Sequence, residues 1–215
     1  MIFRNRDDAA HMLAEKLEHY RSQHPLVLAI PRGAVPMAKV VADALGGEVD
    51  VVLVRKLRAP ANPELAIGAM DETGWTYLAE YAVQMASDGY IEAEKKAQLE
   101  VMRERRARYT PVRPPLDPAG RTVIVVDDGL ATGSTMIAAL HALRAKHPKK
   151  LICAVPVAPP DTLKKVAPYA DEVVCLSVPE MFYAVGQFYT SFPQVSDEEV
   201  IALLAASSQH GSSQD

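Results

Sequence analysis

Two carboxylates, Asp127 and Asp128, stand side by side directly after the apolar run Val123-Ile124-Val125-Val126. The chain then continues Gly129-Leu130-Ala131-Thr132-Gly133-Ser134-Thr135 into a segment with helical spacing. A loop of small and hydroxylated residues lets backbone amides converge without side chains in the way, and the helix that starts there adds its positive dipole end. Such a loop cradles a phosphate, here through Gly129, Ala131, Thr132, Gly133, Ser134 and Thr135. Carboxylates repel a phosphate but accept hydrogen bonds from a vicinal diol and can support a magnesium ion. The combination fits a ribose 5-phosphate. A turn capped by Thr132 or Ser134 would explain the hydroxyls, but it leaves two mutually repelling acids without a reason. A nucleoside triphosphate loop would need Lys after its glycines, where Ser134 stands, and a dinucleotide fold would need GxGxxG after its first strand, where none occurs.

The elements that must hold this segment follow from hydrophobic periodicity. Ala10, Leu13, Leu17 and Tyr20 predict an amphipathic helix over 7–20. Short apolar runs at 26–30, 49–54, 123–126, 151–157 and 173–178 read as strands buried on both faces. Between them lie predicted helices at 35–45, with Pro36 in its first turn, at 135–146, and at 161–167 capped by Asp161. Ser196 and Glu199 match a capping box, which predicts a last helix over 196–205. Alternating strands and helices imply an α/β domain with a doubly wound, mainly parallel five-stranded sheet. Ligands bind such sheets beyond the carboxyl ends of the strands, where strand order reverses.

Residues 57–118 break the alternation. Pro60, Pro63 and Gly74 punctuate two short segments, 65–70 and 76–78, that can pair as a hairpin, and 91–109 follows as a long polar helix. The expected organisation is one domain over 1–206, with 57–118 inserted and 179–206 closing it as a hood and helix. Residues 207–215 offer nothing to bury and are expected to be a disordered tail.

Composition narrows the function classes. In 215 residues, 23 Lys and Arg stand against 27 Asp and Glu, a net charge of −4. That balance argues against nucleic acid as the main partner. Cys153 and Cys175 lie in apolar runs without paired spacing and read as buried thiols. The six histidines show no metal-ligand spacing, and no Ser, His and acid pattern suggests a hydrolase. No apolar stretch reaches the roughly 18–20 residues of a membrane span, and residues 1–8 are too polar for a secretory signal. The cytoplasm is the expected location.

The segment 123–135 resembles the phosphoribosyl pyrophosphate (PRPP) signature of the type I phosphoribosyltransferases: four apolar residues, two acids, and a loop ending Thr-Gly-(Gly/Ser)-Thr. The resemblance covers most of 26–178 and implies flavodoxin-like strand order, Mg2+ as cofactor with Asp127 as indirect support, PRPP and a small nitrogenous acceptor as partners, and a homodimer as the common assembly. It implies that Arg32 and the amides around Gly33 hold the leaving pyrophosphate. Alone, Pro31-Arg32-Gly33-Ala34 would be a tight turn with a surface Arg. It also implies a cation at the end of the second core strand, Lys56 in preference to Arg55, whose bland reading is a solvated strand end. The inserted region corresponds to the family's mobile loop, with Arg103 and Arg105 as basic candidates.

The acceptor is less constrained. Family members acting on 6-oxopurines commonly carry an acid where Ala131 stands and a Lys on the next strand, which 151–157 lacks. The Asp-Asp-x-x-Ala-Thr-Gly pattern looks more like the adenine and xanthine branches. Phe182 and Tyr183 are candidates to stack on a base, against the plainer reading of aromatics covering the core. Besides a transferase, two other classes fit: a non-catalytic PRPP-sensing regulatory protein, and a structural subunit with a vestigial site.

Overall fold

The structure, a computed structural model, describes residues 1–63 and 65–210. Helix α1 (Arg6–Lys16) starts where the Asn5 side chain accepts the Asp8 N–H at 2.9 Å, with Asp7 and Asp8 in its first turn. It stops short of the expected Tyr20, and a 3-10 turn over Glu18–Gln23 carries the chain to β1 (Leu26–Ala29). Helix α2 (Ala34–Leu45) returns to β2 (Glu48–Val51).

Here the structure corrects the expected strand at 49–54. The Val52 N–H still bonds the Ala29 carbonyl, but the chain then leaves the sheet, and β3 (Val54–Arg58) opens a second one. Charges at Arg55, Lys56 and Arg58 are incompatible with a strand buried on both faces and suit a half-covered antiparallel sheet. The inserted unit therefore begins at Val54. It contains β4 (Ala66–Asp71) and β5 (Thr76–Leu78), paired antiparallel as the predicted hairpin, then α3 (Ala82–Met85) and α4 (Asp88–Tyr109). Because β3 pairs antiparallel with β4, the hairpin becomes a three-stranded sheet.

The main sheet resumes with β6 (Thr122–Val126), α5 (Ser134–Arg144), β7 (Lys150–Val157), α6 (Pro160–Val166) and β8 (Glu172–Ser177). Asp161 does not cap α6: Pro160 occupies the first turn, where its missing N–H costs nothing, and Asp161 pairs with Lys164. Strand order is β2-β1-β6-β7-β8, all parallel, which is the flavodoxin-like order. Its switch point falls between β1 and β6. The register Ala29↔Val126, continued by Ile30 N–H to the Val126 carbonyl at 3.1 Å, sets the loop after β1 beside the acids after β6.

Both faces of this sheet are covered. Leu13, Met37 and Val41 from α1 and α2 pack on one side with Val27 and Ile124, and Met136 and Leu140 of α5 pack on the other with Leu28 and Val125. The small sheet rests on the outside of α5, where Trp75 stacks flat on His141 with ring centroids 3.6 Å apart. Cys153 is fully buried and Cys175 half-buried, both as free thiols.

Helix α7 (Asp197–His210) starts with the capping box in place: Ser196 N–H to Glu199 Oε2 at 2.6 Å and Glu199 N–H to Ser196 Oγ at 3.1 Å. It runs past the expected end at Ala205, and within it Ser207 donates its hydroxyl to the Leu203 carbonyl at 2.8 Å. The expected tail at 207–215 is therefore helical through His210, and 211–215 lie outside the described residues. Among the described residues no helix is long and apolar enough to cross a membrane.

Candidate functional site

A cleft of about 810 Å³ opens at the carboxyl end of the switch point. One wall is the loop from β6 to α5. Gly133, at φ +78°, turns the chain into α5, and a Cβ there would meet Val166 Cγ2 at 2.9 Å, so the position takes glycine for two reasons. The first intrahelical bond is Ile137 N–H to the Gly133 carbonyl. The amides before it have no acceptor within the helix, which is the arrangement that holds an anion. Gly129, Ala131, Thr132, Gly133 and Thr135 line the cleft. Ser134 does not: it is buried, exchanging a 3.2 Å hydroxyl contact with Thr132, and it shapes the loop from behind. Thr162 Oγ1 donates to the Ala131 carbonyl at 2.6 Å and ties the loop to α6.

Asp127 and Asp128 both line the cleft. Asp127 Oδ1 accepts the Asp128 N–H at 2.9 Å. Asp128 Oδ2 faces Arg6, with Nε at 3.0 Å and Nη2 at 2.9 Å. Sequence reasoning missed this partner, since 122 residues separate the pair. It gives Asp128 a structural reason that the sequence alone did not offer. Among the described residues, no hydrogen bond from another residue reaches Asp127 Oδ2 or Asp128 Oδ1, so each acid keeps one oxygen for a ligand. Burial and the charge of Asp128 push the Asp127 carboxyl well above the usual carboxylate range. Burial raises Asp128 too, against the pull of the Arg6 guanidinium and Lys56. Carboxylates here fit a magnesium ion held mainly through water and ligand phosphates, with the acids supporting it indirectly.

Lys56 is exposed and lines the same cleft with Arg55 and Arg58. It stands on β3 of the small sheet rather than at the end of a core strand. Arg55 Nε donates to Gln98 of α4 at 2.9 Å, and burial beside Arg105, Arg58 and Arg32 lowers its pKa. Gly33 lines the main cleft, whereas Arg32 lies in an adjoining cleft of about 320 Å³ together with Arg6, Arg55, Arg105 and Asp128. Guanidinium groups crowd there with few acids between them. The structure also separates the two basic candidates of α4: Arg103 pairs with Glu100 on the surface, while Arg105 lines this second cleft. Asp197, the first residue of α7, sits among these cations, 3.3 Å from Arg105, 3.3 Å from Arg108 and 3.9 Å from Arg32. Burial pushes its carboxyl up, but the Tyr109 hydroxyl and the three arginines outweigh this and hold it below the usual range. The sequence marked this region only as a helix start.

The hood divides the aromatic candidates. Tyr183 lines the cleft at 82% exposure. Phe182 turns inward onto Phe188, centroids 5.1 Å apart, and does not line the cleft. Phe192, not singled out by the sequence, does line it.

A doubly wound parallel sheet with an inserted antiparallel sheet at its switch point is the type I phosphoribosyltransferase fold. Residues 2–192 match the phosphoribosyl transferase domain family, and the chain belongs to that family. Among curated proteins it is 42% identical over 205 residues to "Putative phosphoribosyl transferase Rv0571c" of Mycobacterium tuberculosis strain H37Rv, and equally to "Putative phosphoribosyl transferase MT0597" of strain CDC 1551. Each alignment covers 94% of this chain but 46% of the relative, so the chain spans about half their length. Among solved structures it is similar to TT1426 from Thermus thermophilus, at 47% identity and TM-score 0.80, covering 96% of this chain and 99% of that one.

Proposed function

We propose that this chain transfers the 5-phosphoribosyl group of PRPP to a small nitrogenous acceptor and releases pyrophosphate. The observation that carries the reading is the pair of unpartnered acid oxygens, one each on Asp127 and Asp128, placed between the phosphate loop and the arginine-lined cleft. A vicinal diol supplies two donors for those two oxygens. The 5-phosphate then lies against the amides from Gly129 to Thr135, and the pyrophosphate against Gly33, Arg32 and Lys56. The same placement adds Arg55 and Arg105 as candidates for the pyrophosphate.

In the reaction a nitrogen lone pair forms the bond to the anomeric carbon as the carbon–oxygen bond to pyrophosphate breaks, its electron pair leaving with the pyrophosphate oxygen. The acceptor nitrogen loses its proton to solvent or a base. Positive charge builds on the ribose ring, and Asp127 and Asp128 oppose it, while Arg32 and Lys56 oppose the negative charge on the leaving group. Magnesium, when bound, neutralises further phosphate charge. Most of the rate enhancement comes from positioning and fixed charge.

A second reading, a non-catalytic PRPP sensor, draws on the Arg6 ion pair, which occupies one oxygen of Asp128. One panel separates the two. Wild-type protein with PRPP, Mg2+ and a set of purine, pyrimidine and other nitrogenous acceptors is followed for pyrophosphate release, beside the D127N/D128N variant. Acceptor-dependent release that the double variant loses supports transfer. PRPP binding without turnover on any acceptor supports the sensor, and absence of PRPP binding sinks both.

A further inference from the structure

Arg6 lies outside every motif in the sequence, yet its guanidinium is committed on every side. Nε and Nη2 hold Asp128 Oδ2, Nη1 donates to the Pro193 carbonyl, and Cζ lies over the Phe192 ring, 3.8 Å from its centre. Its side chain is 12% exposed and that of Asp128 17%. These contacts leave Arg6 little capacity for an incoming anion, unlike Arg32 and Arg105 beside it. A planar fork holding a carboxylate, a carbonyl and a ring at once is a job that Lys cannot copy.

The segment around Arg6 is pinned to the hood. Phe3 N–H bonds the Phe188 carbonyl at 2.8 Å, Thr190 N–H the Phe3 carbonyl at 2.9 Å, and Ser191 N–H the Arg4 carbonyl at 2.9 Å. Tyr189, bridged to Phe3, donates its hydroxyl to the Asp128 carbonyl at 2.7 Å. The start of the chain and the hood thus form one strap that grips Asp128 twice, by its backbone through Tyr189 and by its carboxylate through Arg6. Phe192 and Asp128 both line the main cleft, so the strap joins the hood wall to the acid wall.

We propose that Arg6 is a positioning residue for PRPP binding: it fixes the rotamer of Asp128, holding Oδ2 so that Oδ1 is presented to the ribose hydroxyls, and it sets the hood against that acid. The inference rests on the PRPP reading above. Removing Arg6 leaves two neighbouring acids in a half-buried site with one cation fewer, which releases Asp128 from its place.

The test is a double-mutant cycle on PRPP affinity, measured by calorimetry with Mg2+ present and without acceptor, using wild type, R6Q, D128N and R6Q/D128N. R6Q is expected to weaken PRPP binding at least tenfold in the wild-type background and less than threefold in the D128N background. R6K, which keeps the charge but not the fork, is expected to fall between wild type and R6Q, and methylguanidinium is expected to restore part of the R6Q loss. Equal losses in both backgrounds, or no loss, overturn the positioning role even if wild type binds PRPP well. Should R6Q fail to fold, R6K decides: wild-type affinity in R6K overturns the proposal. No PRPP binding by folded wild type overturns the functional reading itself, and this inference with it.

Discussion

Gly33 passes so close to Asp128 that a Cβ on it would lie 2.3 Å from Asp128 Oδ2, and 2.9 Å from Arg6 Nη2. The loop after β1 and the acid after β6 are therefore one packed unit, and the absent side chain is what lets them meet. Gly33→Ala forces the carboxylate or the guanidinium to move, at about 1–3 kcal/mol of overpacking. The expected outcome is a folded protein with PRPP affinity reduced by roughly 10–100-fold. Calorimetric titration with PRPP and Mg2+ checks it, and unchanged affinity would show that the acid's present position is unimportant.

Asp127 sets function against stability. Its carboxyl is raised by burial and by Asp128, so the folded state holds its proton more tightly than the unfolded state does. The stability it contributes is present below the unfolded pKa and lost as pH rises through the folded one. Asp127→Asn removes that loss. Tm of the variant is expected to exceed wild type at neutral pH, by about 2–4 °C per kcal/mol relieved, with the gap closing toward acid pH. Phosphoribosyl transfer is expected to fall by about 10²-fold or more. Thermal scans across pH, paired with pyrophosphate-release assays, test both halves; a variant that is less stable at neutral pH contradicts the assigned strain.

Lys56 and Arg55 are neighbours on β3 with different attachments. Lys56 is exposed in the cleft, whereas Arg55 is bonded to Gln98 and half-buried. Lys56→Ala is expected to leave Tm within about 1–2 °C, in line with the roughly 0.5 kcal/mol limit for surface changes. It is expected to raise the KM for PRPP several-fold. Arg55→Ala is expected to lower Tm as well. Matched melting curves and PRPP kinetics separate the two, and equal Tm losses would place Lys56 in the structural framework instead.

The sequence carried the main sheet because each core strand is a short apolar run between helical patterns, the form that a parallel strand covered on both faces takes. It carried the hairpin of 65–70 and 76–78 and the capping box at Ser196 for the same local reason. What it missed depends on distance along the chain. Arg6 meets Asp128 across 122 residues, and Asp197 meets Arg32 because α7 packs back against α2, whose start follows Arg32. The break after Val51 was hidden because Val52, Leu53 and Val54 continue the apolar run while the backbone changes sheets. Ser134 fits the phosphate-loop pattern by type, yet its burial follows from its place on the inner side of α5, which spacing alone does not give.

Asp197 is an internal anion beside the proposed pyrophosphate site. Its carboxylate lies among Arg32, Arg105 and Arg108 and accepts the Tyr109 hydroxyl at 2.7 Å, beside the loop that holds Gly33. An arriving pyrophosphate must share Arg32 and Arg105 with this internal anion. Asp197→Asn removes the competing charge and keeps the side-chain shape, so pyrophosphate affinity is expected to rise by about three- to tenfold, roughly 0.7–1.4 kcal/mol. The same change costs stability. Because the folded carboxyl is held below its usual range, its contribution is present above the unfolded pKa and fades as pH falls. The variant's Tm deficit is therefore expected to be largest near neutral pH and to vanish in acid. Titration with pyrophosphate and Mg2+ beside melting curves at several pH values measures both, and an affinity that stays level or falls would mean that Arg32 and Arg105 serve α7 rather than the leaving group.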